Sequence, residues 1–217
     1  MRTSLLSLVL VLALAALAAP ASANHRPDHV VPGKLSIAAA PNPVKFGKAV
    51  TISGKLTGNA NAAKPVLLFA DPFPFDVFAP AGTTVTDANG DYSLTHSPTV
   101  NTRYQTKQGG TESEIVTVLV RPTIRLRVSD RTPRAGTRVR FYGRVCPEHD
   151  GSLLAIQRRT ATGAWRRVTR VVLVDAGECS TFSKRLRIRR DGAYRAALRA
   201  HDDHTVGRSA VRRLFVH

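Results

Sequence analysis

Residues 133–146 read PRAGTRVRFYGRVC, and residues 46–56 read FGKAVTISGKL. In each, a glycine is followed seven residues later by a second, Gly47 and Gly54 in one copy, Gly136 and Gly143 in the other, with apolar residues at alternate positions between them. Alternation with a period of two is the mark of a half-buried strand. A frame met twice implies one folding unit written twice. The copies differ in chemistry: Arg138, Arg140 and Arg144 stand where the earlier copy has Ala49, Thr51 and Lys55.

Working outward, the chain starts with Arg2, an apolar run from Leu5 to Ala19, then Pro20 and Ala21-Ser22-Ala23. Positive charge, short apolar core and small residues make a secretory signal peptide, with cleavage expected between Ala23 and Asn24. The run is short for a membrane span, which needs roughly 20 apolar residues. Without a lipid-accepting cysteine in the leader or a sorting tail, the expectation is free export or retention at the cell wall by non-covalent contacts. The expected divisions are a signal peptide at 1–23, a polar leader at 24–33 and two domains at 34–120 and 121–217.

In the first domain, strands are expected at Leu35–Ala38, Val50–Leu56, Val66–Phe69, Thr83–Thr86, Tyr92–His96, Arg103–Thr106 and Glu114–Val120. Asp87-Ala88-Asn89-Gly90-Asp91 reads as a hairpin turn, because Asn-Gly tolerates positive φ. Arg121-Pro122 is the only linker, so a stiff junction is expected. The second domain repeats the order: Ile124–Val128, Val139–Val145, Leu153–Arg158, Trp165–Val168, a fifth strand holding Leu186 and Ile188, a sixth from Asp191 and a seventh at Ala210–Val216. Seven short strands per half without helical periodicity predict an all-β chain of two tandem immunoglobulin-like Greek-key β-sandwich domains. Tyr194, opening the sixth strand, and Tyr104 at the matching place are expected to turn their hydroxyls back onto the backbone at a corner.

The segments DPFPFDVF, TDANGDYSL and NTRY, the paired glycine frames and LAIQRRTATGAWRRV resemble the tandem immunoglobulin-like modules of secreted actinobacterial proteins. The resemblance covers nearly all of the chain beyond the leader. It implies a fold, with no catalytic residues to carry over, since such modules serve as spacers, adhesins and binding units.

Cys146 ends the second strand of its domain and Cys179 precedes the fifth. In an immunoglobulin-like sandwich these strands are antiparallel neighbours, so a disulfide is expected, and export permits it. Two buried free thiols are the alternative. Neither cysteine corresponds to the inter-sheet pair of antibody domains. His201-Asp202-Asp203-His204 carries metal-ligand residue types, but no second cluster stands out, and the favoured reading is a solvated polar hairpin with no metal. Asp87, Asn89 and Asp91 echo a calcium loop that lacks its later Gly and Glu, so turn chemistry suffices. No nucleophile with a base and no paired carboxylates mark a cleft, so neither enzyme nor cofactor is expected. The loop Phe73-Pro74-Phe75 with Phe78 reads as a contact site or as a cover over the end of the core.

The strongest functional signal is the arginines. The formal charge is +17. Residues 24–120 hold eight basic and seven acidic side chains, whereas residues 121–217 hold 23 and eight, a surplus of 15. An arginine-favouring genome does not account for this, because the first stretch has six Lys and two Arg and the second 22 Arg and one Lys. With Ile124, Leu126, Val139, Phe141, Val145, Leu186 and Ile188 facing the core, their neighbours face water. Arg125 and Arg127 on the first strand, Arg138, Arg140 and Arg144 on the second, and Arg185, Arg187 and Arg189 on the fifth then share one outer face. Guanidinium matches phosphate and carboxylate in a two-pronged geometry. Such a face suits an anionic polymer: wall phosphate, acidic polysaccharide or nucleic acid, the last disfavoured because Tyr142 is its only aromatic. The plain alternative is a solvated face, its charges paired with Asp130, Glu148 or Asp150, on a structural spacer or protein-interaction module.

Overall fold

Apolar residues at every second position, broken by glycine, proline and asparagine, give extended chain that must pair to satisfy its backbone. The computed structural model describes residues 33–217, all strands, turns and loops with no helix among them. The expected signal peptide, its cleavage point between Ala23 and Asn24, and the polar leader up to residue 32 lie outside the described residues. Among those described, no helix is long and apolar enough to cross a membrane.

The first sandwich comprises β1 (Ala38–Ala40), β2 (Val44–Lys45), β3 (Val50–Lys55), β4 (Pro65–Pro72), β5 (Ala79–Val85), β6 (Asp91–His96), β7 (Thr102–Gln108), β8 (Thr111–Glu112), β9 (Val116–Val118) and β10 (Val120–Arg121). One sheet has the order β1-β3-β6; the other is β5-β4-β7-β8, with β9 also paired to β7. Short β2 runs parallel to β10, Val44 beside Val120. Val44, Val50, Ile52, Leu68, Tyr104 and Val120 form the centre of the core, each fully buried.

The second sandwich comprises β11 (Thr123–Val128), β12 (Arg138–Cys146), β13 (Leu153–Arg159), β14 (Trp165–Val172), β15 (Val174–Asp175), β16 (Ser180–Arg187), β17 (Gly192–Leu198), β18 (Gly207–Arg208) and β19 (Arg212–Leu214). Its sheets are β11-β12-β16-β15 and β14-β13-β17-β18, with β19 also on β17. This is the immunoglobulin-like arrangement, in which the first, second and fifth strands share one sheet. Phe141, Leu126, Leu154, Ile156, Leu198 and Leu214 lie at the middle of its core. The fifth strand starts earlier than its apolar residues indicate, at Ser180; the expected last strand of the first domain is divided into β9 and β10, and that of the second is shortened to β19.

The repeated glycines do the same two jobs in each copy. Gly47 and Gly136 have φ of 75° and 85° in the turn that opens the second strand, a conformation that costs other residues about 1–2 kcal/mol. Gly54 and Gly143 lie inside that strand, where a Cβ would sit 2.0 Å from Ser36 O and 1.8 Å from Arg125 O respectively. Both therefore let the first strand press against the second.

The two tyrosines behave differently from the expected corner. Tyr104 is fully buried and its hydroxyl meets His96 Nδ1 at 2.8 Å, while Tyr194 packs its ring on Phe141, centroids 5.1 Å apart. The bond back to the backbone is made instead by Tyr92 of β6, whose hydroxyl donates to Ser36 O and lies 2.8 Å from Thr106 Oγ1. The aromatic loop folds back: Arg103 pairs with buried Asp71, donates to Phe75 O at 2.9 Å and lies over the rings of Phe75 and Phe78 at 4.8 and 5.7 Å. Asp87 Oδ1 accepts the N–H groups of Asn89 and Asp91 at 2.8 and 2.9 Å, which makes that segment an Asx turn.

Candidate functional site

Strand alternation puts the side chains of β11, β12 and β16 in two sets. Ile124, Leu126, Val139, Phe141 and Val145 are buried, and Arg125, Arg127, Arg138, Arg140, Arg144, Arg185 and Arg187 are exposed on the other face. Arg189 carries the alternation past buried Ile188, just beyond the end of β16, and is exposed. The register turns this into rows: Arg125 opposes Arg144, Arg140 opposes Arg185, Arg138 opposes Arg187, and Arg127 opposes Tyr142.

Three arginine pairs thus stand directly across from one another. Same-face neighbours on adjacent strands are about 4.5–5.5 Å apart at Cβ, and like charges so placed are destabilising. Among the described residues no carboxylate forms an ion pair with any of the eight. The acids named as partners in the plain reading are engaged elsewhere or form no such pair. Asp130 accepts Thr132 N–H at 2.8 Å, and Asp150 accepts the Ser180 hydroxyl. Tyr142 has its ring covered by the Arg140 guanidinium at 4.2 Å.

The face is not flat. Arg125, Arg127, Arg140, Tyr142 and Arg144 line an open groove of about 700 Å³ whose wall includes Val172 and Val174. Those valines are 51% and 60% exposed, so the groove joins a charged floor to an apolar edge. Sequence reading missed this edge, because nothing local says that β15 lies beside β16.

A second group of arginines was also missed. Arg167, Arg170, Arg195, Arg199 and Arg208 line a groove of about 600 Å³ on the opposite sheet. Part of the signal lay in the segment Trp165-Arg166-Arg167-Val168-Thr169-Arg170, which supplies Arg167 and Arg170; Arg195, Arg199 and Arg208 come from the later strands and loop. These arginines are partly engaged, since Arg195 donates to Gln157 Oε1 at 2.8 Å and lies 4.2 Å over the Trp165 ring. Burial, reinforced by nearby Arg208, lowers the Arg195 pKa.

Cys146 and Cys179 are joined, with a Cα–Cα distance of 4.4 Å. The adjacent pair Val145–Ser180 explains why: the two cysteines fall opposite one another at the end of the β12–β16 ladder. The disulfide therefore ties two strands of the arginine sheet.

The segment 201–204 closes as the expected hairpin turn, His201 and His204 exchanging backbone bonds at 2.8 and 3.3 Å, but only His201 and Asp202 are exposed. His204 is 2% exposed and its Nε2 lies 2.8 Å from Thr99 O of the first sandwich. Asn101 donates its N–H to Asp203 O at 2.8 Å and its side-chain amide to Asp202 O at 2.9 Å, and Thr205 N–H donates to Val120 O at 2.8 Å. The loop between β17 and β18 thus docks on the first sandwich. Beside it lies His149, from the loop between β12 and β13, with ring centroids 4.9 Å from His204 and 5.6 Å from His201. His149 is the partner cluster that sequence reading did not find, because only the fold brings these two loops to one end.

No known protein family's profile matches the sequence, and no curated protein does. Among solved structures, a similar one is described as the crystal structure of a tetra-tandem repeat in the extending region of a large adhesion protein. Identity to it is 15% and the TM-score 0.36, over 84% of this chain and 49% of that one. The chain spans about half the length of that structure.

Proposed function

We propose that the chain is an exported, non-enzymatic protein whose second sandwich holds an anionic polymer against the outer face of β11, β12 and β16. The polymer class is a cell-wall phosphate polymer or an acidic polysaccharide. One observation carries this reading: three directly opposed arginine pairs that form no ion pair with a carboxylate among the described residues. Each such pair costs on the order of 0.2–1 kcal/mol. Three together cost about 0.6–3 kcal/mol, which at the upper end is a sizeable part of the 5–15 kcal/mol that stabilises a typical domain. A chain of anions laid along the rows offsets that cost and gains charge-assisted hydrogen bonds. Base stacking is disfavoured because the one aromatic ring of the face is already covered by Arg140. The disulfide supports export, since such bonds persist outside the reducing cytosol.

A second reading, a stiff spacer with no polymer ligand, draws on the docked junction at Thr99, Asn101 and Val120. Retention of the chain on purified cell wall and on immobilised phosphate and uronate polymers, across salt concentration, separates the two. Binding that weakens with salt is expected, lost on changing Arg138, Arg140, Arg187 and Arg189 to Ser and kept on changing Arg167, Arg170, Arg199 and Arg208 to Ser. Equal loss from both faces would overturn the β11–β12–β16 site in favour of general charge attraction, and no retention at low salt favours the spacer.

A further inference from the structure

Two buried imidazoles at the junction have one nitrogen each whose role is fixed. His149 Nδ1 lies 2.9 Å from Pro147 O and His204 Nε2 lies 2.8 Å from Thr99 O. A carbonyl oxygen only accepts, so each of these nitrogens carries a proton. In the neutral rings the remaining nitrogens, His149 Nε2 and His204 Nδ1, are then lone-pair donors. Both are buried and neither has a hydrogen-bond partner. Asp203 Oδ2 lies 2.9 Å from His204 Nδ1, at ion-pair distance but without hydrogen-bond geometry. One ligand atom from each of His149, Asp203 and His204 falls within 4.8 Å of the others.

Unpartnered acceptors nine-tenths buried and turned toward one another are costly unless something positive sits between them. Imidazoles that bind metal ordinarily give their other N–H to a carbonyl or carboxylate, and both rings here do so. We propose that His149 Nε2, His204 Nδ1 and the Asp203 carboxylate form a site for one divalent transition-metal ion of the zinc class.

Tetrahedral zinc with nitrogen and oxygen ligands at about 2.0–2.2 Å places ligand atoms about 3.3 Å apart, so the 2.9 Å His204–Asp203 side would open slightly while any side approaching 4.8 Å would close. Two imidazoles in three donors favour zinc, cobalt, nickel or copper over calcium and magnesium, which take oxygen. Exposed His201, its ring 5.6 Å from that of His149, is placed to supply a fourth ligand, and water serves otherwise. The ion would clamp the β17–β18 loop in the shape that reaches Thr99, Asn101 and Val120. Its predicted role is to stiffen the joint between the sandwiches, independent of any polymer on the arginine face.

The test uses the untagged chain after chelator treatment. Zinc is titrated against a chromogenic chelator, and cobalt(II) is followed by its visible absorption. Expected are one ion per chain, intense tetrahedral cobalt bands and a zinc-dependent rise in thermal midpoint. Both His149→Gln and Asp203→Asn should weaken zinc by at least about 100-fold, since loss of a second-shell partner alone costs 10–100-fold. Asp203 is half-exposed, so its variant reports even if the buried histidine is needed for folding. Stoichiometric binding unchanged in Asp203→Asn and His149→Gln, or no cobalt bands and no thermal shift in the parent chain, would overturn the site and leave a proton or a bridging water between the rings.

Discussion

Replacing Gly143 by Ala tests whether the repeated glycine exists for close strand approach. The added Cβ would lie 1.8 Å from Arg125 O, 2.9 Å from Arg125 C and 3.1 Å from Phe182 Cζ. Carbon contacts start near 3.5 Å, so β11 must retreat by roughly 1.7 Å. Leu126 pairs directly with Gly143, and the ladder bonds on either side of it stretch beyond hydrogen-bond length. Two or three lost bonds at about 1 kcal/mol each, with on the order of 1 kcal/mol of strain, outweigh the gain of about 0.5–1 kcal/mol from restricting the unfolded chain. The net expectation is about 3 kcal/mol. Gly136→Ala is the control: no atom lies within 4 Å of its Cβ and its φ is +85°, so only the backbone term applies, about 1–2 kcal/mol. Urea unfolding followed by fluorescence suits the comparison, because the chain's one tryptophan, Trp165, lies in the second sandwich. At about 4–8 °C per kcal/mol, Gly143→Ala should also lower the thermal midpoint by about 12–24 °C. A Gly143→Ala cost no greater than that of Gly136→Ala would refute the close-approach reasoning.

Removing the disulfide by Cys146→Ala with Cys179→Ala opens a loop with a sequence separation of 33 and should lower second-sandwich stability by about 3–4 kcal/mol, read from urea midpoints; an unchanged midpoint would show that the ladder alone holds these strands. Arg185→Glu places a carboxylate opposite Arg140 and should raise stability by about 0.2–1 kcal/mol, more at low salt, whereas a loss would mean that the arginine face serves the fold. Burial lowers the pKa of His96, whose Nδ1 meets the Tyr104 hydroxyl. The unfolded chain therefore binds the proton first as pH falls, and stability present above about 6.5 is lost as pH drops through the lowered folded value. The thermal midpoint should fall between pH 7.5 and 5 by less in His96→Gln than in the parent, and an equal fall would contradict this.

The fold was legible because its signals are local and periodic. Glycines at matched places, alternation in RVRF and TIRLR, and turns such as DANGD each name a strand or its end. The arginine face followed from the same alternation once the first, second and fifth strands were made neighbours, and so did the cysteine pairing. Illegible were features that need two distant loops at one end of a sandwich. His149 and His204 meet only after both sheets close, Asn101 caps a loop of the other sandwich, and Val174 reaches the groove through a two-residue strand whose pairing no local pattern announces. The tyrosine expectation failed on position: the hydroxyl bonded to backbone is that of Tyr92 in β6, where Gly54 leaves room for it beside Ser36.

The central claim is that unpaired arginines on one sheet bind a polyanion, and the salt dependence of that binding tests it most directly. The affinity of the whole chain for a single-stranded phosphodiester polymer should fall linearly on a log–log plot against salt. Each phosphate neutralised contributes about 0.7 to the slope. Changing Arg138, Arg140, Arg187 and Arg189 to Ser should therefore make the slope shallower by about 3 and weaken binding at low salt. A slope identical in parent and variant, or an affinity indifferent to salt, would contradict the account.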